Sequence, residues 1–349
     1  MDSYSDPALR FLLWLGLAVL GITLLLLLHT LLLRTRLSLR RRREREFLKK
    51  WRPLLMRGMT ETPESLPRIA KAEWQIFLSL WTHFQETFRD ESRTKLNQLA
   101  WACGMDDAAR QLLDHRSVRT RLMAVSTLGY LQEKKAWAKL RNLIDDPHPL
   151  LSLAAARALL QIDPRQALPI LIPLFTGRHD WPLNKIAHML NEAGADAVST
   201  PLTHSVESAV PEQFPRLVRL LDSAHSEQAM PAIRRILQSA ADDRVISACL
   251  QGLRDKRDAA LVRVYVRHGS WYVRVQAVSA LGRIGSRDDC GTLIAQLSDP
   301  IWWVRYRSAQ ALVNLPGMIL EEVRQIREKL SDRFAQDILT QVIAEQATA

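Results

Sequence analysis

Cysteine is scarce: there are three in 349 residues, Cys103, Cys249 and Cys290, far apart and without a CxxC pair. That excludes a disulfide framework and the closely spaced thiols of a zinc site, and isolated thiols in odd number fit a reducing compartment. No segment alternates polar and apolar residues for long enough to build a sheet, so the fold class is all-α. Nucleotide and catalytic signatures are missing as well, with no Walker loop, GxGxxG, GxSxG or HExxH. The nine histidines stand singly along the chain. An enzyme is therefore not expected, and neither is a cofactor or a metal.

What is present begins with residues 11–33, a 23-residue run without charge. It is long enough to cross a bilayer as a helix. A cleaved signal peptide is opposed by the segment before it, MDSYSDPALR, with one arginine against two aspartates, and by the length of the apolar run. Residues 34–52 then hold ten Lys/Arg and two Glu, a charge of +8. By the positive-inside rule this flank stays in the cytoplasm. Residues 1–10 become a short extracytoplasmic N-terminus and the rest a cytoplasmic body on a single-pass anchor in the inner membrane. Arg34, Arg36, Arg40, Arg41, Arg42 and Arg43 are expected to meet anionic lipid headgroups. The whole chain carries +11, of which residues 1–33 contribute −1 and residues 53–349 only +4. A body so near neutral argues against nucleic acid as the partner. Pro53, Pro63, Pro67 and Gly58 make residues 34–68 read as a basic juxtamembrane segment running into an irregular linker from Arg52.

The C-terminal half repeats itself. Aligning His268 with Asp299 matches Trp271 with Trp302, Tyr272 with Trp303, Val273-Arg274 with Val304-Arg305, and Ala280-Leu281 with Ala311-Leu312, at an offset of 31 residues. A period of that size means stacked units, none able to bury its apolar face alone. The template recurs from His115, with Arg121, Ala124, Leu128 and Gly129 in frame, and from Asp146, where Ser152 replaces the arginine. Degenerate copies end near Met189-Leu190, Arg219-Leu220 and Leu253, giving about seven units over residues 104–315. Each unit splits into two helices. In the last, Ser298-Asp299-Pro300 separates them, with the proline expected at the first helical position. Val304, Ser308, Ala311, Leu312 and Leu315 then share one face, and the small residues Ala277, Ala280, Ser308 and Ala311 admit close helix approach.

The Asp-Pro turn, the Val-Arg pair and the Ala-x-x-Ala-Leu-Gly tail resemble the short, roughly 30-residue repeats of the HEAT family, the PBS-lyase type. The resemblance covers about two thirds of the chain and implies an α-solenoid of helical hairpins, a fold that mostly binds other proteins. It also implies that the arginine of the Val-Arg pair bonds a turn aspartate such as Asp299 of a neighbouring unit. Deoxyhypusine hydroxylases resemble this fold but hold iron through His-Glu dipeptides, which this sequence lacks. A lyase-like enzyme or a nucleic-acid-binding solenoid are the alternatives. Membrane-anchored bacterial members with a WWVR-type repeat resemble accessory components of exopolysaccharide glycosyltransferase systems.

The flanks read as caps. Residues 69–103 place Trp74, Phe77, Leu78, Trp81, Phe84 and Phe88 at helical spacing, with Trp74 and Trp81 expected to remain partly visible. Residues 316–349 form two further capping helices. Because neighbouring positions on a helix lie about 100° apart, two adjacent aromatics cannot both point inward. One of each pair is expected in the core and the other outside. Trp271, Tyr272, Trp302, Trp303 and Tyr306, beside Arg274 and Arg305, are the candidate surface for a protein partner at the membrane. His115, His148 and His268, at turns of the repeats, are expected to cap helix ends.

Overall fold

A computed structural model describes residues 7–59, 66–88 and 91–348, leaving out the side chains of residues 7–10, 12, 13, 19, 36, 37, 40, 347 and 348. Among the described residues every regular element is helical. The chain divides into two compact units, Met1–Ala136 and Trp137–Ala349.

The first unit opens with α1, Pro7–Gly58, a single helix of 52 residues. Its segment Trp14–Thr35 is long and apolar enough to cross a membrane and is bare of protein contacts. The hydroxyls in it are satisfied locally, Thr23 donating to the Leu20 carbonyl and Thr30 to that of Leu27, each at 2.8 Å. That is the arrangement a lipid surround demands, since no water is there to take the bond.

The helix does not stop at the basic run, and here the linker expected from Arg52 is corrected. α1 continues through Pro53 because its last turns are core: Phe47, Trp51 and Leu55 are all buried. Trp51 meets Phe77 edge-on at 5.0 Å. Proline inside a helix costs about 3 kcal/mol, and burial of two aromatics and a leucine outweighs it. Pro53 also sits on the exposed face, where water can bond the carbonyl it leaves free. Pro63 lies outside the described residues; residues 66–70 are irregular.

Against this end of α1 pack α2 (Trp74–Thr87) and α3 (Glu91–Ala102), followed by the hairpin α4 (Met105–Leu112) and α5 (Val118–Tyr130). Trp81 is fully buried, contrary to its expected exposure, and its Nε1 donates to the Leu96 carbonyl at 2.9 Å. Trp74 is half-buried. Asn97 ties α3 to the end of α5 by donating to the Tyr130 carbonyl at 2.8 Å.

The second unit is a stack of hairpins. They pair α6 (Trp137–Leu143) with α7 (Pro149–Ile162), α8 (Pro164–Gly177) with α9 (Leu183–Ala193), and α10 (Ala195–Ser205) with α11 (Phe214–Leu221). Next come α12 (Ser226–Ser239) with α13 (Asp243–Gly252), and α14 (Ala259–Tyr265) with α15 (Trp271–Ile284). Last are α16 (Cys290–Gln296) with α17 (Trp302–Asn314), and α18 (Leu320–Lys329) with α19 (Arg333–Thr348). The second helices, from α7 to α19, lie side by side in one row. This is an all-α solenoid of helical hairpins.

The tightest approach is between α15 and α17. Val273, Ala277, Ala280 and Leu281 face Val304, Ser308, Ala311 and Leu312, all buried. Ser308 is tolerated there because its hydroxyl donates to the Val304 carbonyl at 2.8 Å. A Cβ added at Gly282 would stand 2.7 Å from Ala311 Cα, so only glycine lets the two backbones meet. The proline of the Asp-Pro turn is not the first helical residue. α17 begins at Trp302, and Pro300 stays in the turn, where the Asp299 carboxylate accepts the Ile301 N–H at 2.8 Å. Gly282→Val is expected to lower stability by about 1–3 kcal/mol through overpacking. Thermal unfolding of the purified full-length protein checks this, and an unchanged Tm would show that the α15–α17 contact is looser than described.

Candidate binding surface

Arginine is the fourth residue of α15 (Arg274) and of α17 (Arg305), and the turn before α17 carries Asp299. Arg274 of α15 reaches the turn of the next hairpin, where its Nε and Nη2 bond the two Asp299 oxygens at 2.8 and 3.0 Å. Its Nη1 donates to the His268 and Gly269 carbonyls of its own turn. Both side chains are nearly buried, so one guanidinium ties two turns together. Arg274 is thus committed to the scaffold and is not free for a partner. Arg305, one hairpin on, makes the same Nη1 contacts, to the Asp299 and Pro300 carbonyls at 2.8 and 3.3 Å. Its Nε is buried with no partner.

The aromatic pairs behave differently from the expectation of one in and one out. Trp302 and Trp303 are both exposed, at 42% and 52%, and Trp271 at 44%. Tyr272 is half-buried, its hydroxyl donating to Asp243 at 3.2 Å. The reason is position. These residues are the first two of α15 and α17, at the mouth of the turn, and the inward-facing place goes to Val273 and Val304. Trp302 stacks on Tyr306 at 5.0 Å with planes 10° apart, and meets Trp303 edge-on at 4.8 Å. Tyr306 donates to Glu345 of α19 at 2.8 Å; that bond holds the Tyr306 hydroxyl above its usual titration range and the Glu345 carboxyl below its own. Since α15 and α17 are neighbours in one row, their N-terminal ends form an edge of aromatic side chains, which Tyr306 joins to α19 at Glu345. Phe334, second residue of α19, is 72% exposed and was not signalled by the repeat pattern.

Sequence reasoning also missed a second ladder on the first helices. Arg234 of α12 bonds Asp255 at 2.6 Å and Asp258, and Arg263 of α14 bonds Asp289 at 2.5 and 3.2 Å. Asp258 and Asp289 are buried at the starts of α14 and α16. Arg257, bonding first, and then Arg234 hold the Asp255 carboxyl well below the ordinary range. Where Ser152 replaces the arginine, the link is rebuilt: buried Trp181 donates its Nε1 to Ser152 Oγ at 3.0 Å.

Other candidates offer little chemistry. His115 and His268 cap their turns, each Nδ1 accepting the N–H two residues on, at 3.0 and 3.2 Å. His148 occupies the cap position of α7 but makes no such bond; its Nδ1 is buried without a partner. Among the described residues no group of three or more His, Cys, Asp and Glu is placed to hold a metal. Burial pushes the Cys103 thiol up to about 11 and Cys249 up to about 12, which keeps both protonated and unreactive at neutral pH. A groove of about 1170 Å³ in the first unit runs between α1, α2 and α5, but Arg41 and Arg119 on its lips are matched by Glu44 and Glu86. Arg34, Arg41, Arg42 and Arg43 are exposed on α1, while the side chains of Arg36 and Arg40 lie outside those described.

Residues 107–191 and 259–344 match the family model described as HEAT repeats. The chain belongs to the HEAT-repeat family. Among solved structures, it is similar to an engineered protein at 14% identity and a TM-score of 0.36, covering 84% of this chain and 88% of that one. It is also similar to human deoxyhypusine hydroxylase in complex with glycerol, at 16% identity and a TM-score of 0.29, covering 69% and 96% of the two chains. No curated protein matches it.

Arg274→Gln is expected to cost about 3–5 kcal/mol, because it strands the buried Asp299 carboxylate. Arg305→Gln should cost only about 1 kcal/mol, since it breaks no ion pair. Denaturant unfolding of the two variants side by side measures the difference; equal losses would contradict the assignment of only one of them to a closed ladder.

Proposed function

We propose that the protein is a membrane-tethered, non-catalytic scaffold that holds another protein against the membrane surface. The observation that carries this is the aromatic edge at the starts of α15 and α17. Tryptophan and tyrosine offer large contact areas with little conformational entropy to lose, and they dominate binding energy where they cluster beside arginine. Three indoles, 42–52% exposed at the starts of α15 and α17, contribute little to the core. HEAT-repeat membership supports a binding role.

The anchor sets where binding happens. Trp14–Thr35 spans the membrane, the N-terminus faces outward, and the basic run stays on the cytoplasmic side of the inner membrane. Arg34, Arg41, Arg42 and Arg43 meet anionic headgroups there, each contributing about 1 kcal/mol near a charged surface. Phe47 lies twelve positions beyond Thr35, about 18 Å of helix, so a short rigid stalk joins the span to the packed part of the first unit. Tethering confines both partners to one thin layer, so a weak contact gains from effective concentration. The partner class this reading favours is a membrane glycosyltransferase assembly, by the resemblance of the WWVR-type repeat.

In-cell crosslinking of the tagged full-length protein, with mass spectrometry of what stays attached, tests the proposal. One dominant membrane-protein partner is expected, reduced at least ~10-fold in a Trp302→Ala/Trp303→Ala variant, as befits loss of a hot spot. Recovery of a bound small molecule or nucleic acid in place of a protein would overturn it.

A further inference from the structure

Arg305 stands where Arg274 stands one hairpin earlier, and it makes the same two carbonyl contacts through Nη1. On Arg274 the Nε–Nη2 fork is filled by the Asp299 carboxylate. On Arg305 the fork is empty, with Nε buried and unbonded. The last hairpin has Leu330 where the 31-residue offset places the counterpart of Asp299, and the aspartate of that turn, Asp332, is occupied otherwise. It accepts the Ser298 hydroxyl at 3.1 Å and the Phe334 N–H at 2.9 Å. No acidic residue lies in the first turn of α17 to neutralise the charge, and the helix start adds positive potential of its own. Trp302 and Trp303 flank the same turn and are exposed.

We propose that Arg305 is the docking point for a carboxylate of the partner protein, an aspartate or glutamate set in a turn beside apolar residues. It takes on Arg305 the place that Asp299 takes on Arg274. This rests on the scaffold reading and names the chemistry of what the scaffold holds. A planar guanidinium edge matches a carboxylate through two parallel bonds, which fixes orientation as well as energy. Reaching Nε requires the incoming group to displace the side chains that cover it, so the bond forms in a desolvated place where it is strong. The indoles of Trp302 and Trp303 then receive the apolar residues next to the acid. The ladder of ion pairs that runs hairpin to hairpin ends on a rung completed by another protein.

The test uses the full-length protein in neutral phosphatidylcholine nanodiscs and the capped peptide Ser-Asp-Pro-Ile, which copies residues 298–301. Binding is followed by tryptophan fluorescence. A saturable change is expected, weakened at least ~10-fold by Arg305→Gln, by Arg305→Lys, which keeps the charge but loses the fork, and by placing Asn for Asp in the peptide. Asp332→Asn should leave the affinity within about twofold, since that carboxylate is not the fork's ligand. Absence of saturable binding, equal binding of the Asp and Asn peptides, or binding that appears only in Asp332→Asn would each overturn the proposal; the last would mean that Asp332 closes the fork from within. Loss of peptide binding with crosslinking at Trp302 and Trp303 intact would remove this inference and leave the scaffold reading standing.

Discussion

A hairpin of two short helices has no core of its own, and the carboxylates that start its helices need a cation from the hairpin before. Asp258, Asp289 and Asp299 are all buried, and each is met by an arginine of the preceding hairpin: Arg234, Arg263 and Arg274. A buried carboxylate without such a partner costs several kcal/mol. From α12 to α17, helix start, ion pair and neighbour contact are thus one feature, and the carboxylates of a hairpin are satisfied only when the hairpin before it is in place. That dependence explains why the stack has a fixed register, and why the small residues of α15 and α17 can bring two backbones into contact at Gly282.

Much of this is legible in the sequence because a repeat states its rule more than once. The matched pairs at 271–274 and 302–305 disclose the period, the second-helix faces and the arginine. The resemblance they carry pointed to Asp299 as that arginine's partner. What the repeat does not state is less visible. Arg234 and Arg263 sit in first helices, whose sequences differ too much to align by eye. The outward placement of both Trp302 and Trp303 follows from where α17 begins, and that is two residues later than Pro300 implied. Counting angles along a helix cannot find its first residue.

The basic run misled in a different way. Prolines and a glycine after Arg52 read as a break, yet Phe47, Trp51 and Leu55 lie one turn apart and form a packed stripe. Ten cations in 19 residues hid that stripe in the composition. The apolar segment and the packed end of α1 belong to one helix, so backbone hydrogen bonds and not a flexible tether join them. The candidate chemistry is likewise engaged or covered: the Cys103 and Cys249 thiols are held protonated by burial, His115 and His268 are engaged at turns, and the indoles of α15 and α17 are exposed.

The central claim is that the aromatic edge at α15 and α17 is covered by another protein in the cell. Hydroxyl-radical footprinting of native membranes against the purified protein measures this directly, with Trp101, exposed in the first unit, as internal reference. The account predicts that Trp302 and Trp303 are oxidised severalfold less in membranes, with Trp101 unchanged. Equal oxidation of Trp302 and Trp303 in both preparations would contradict it.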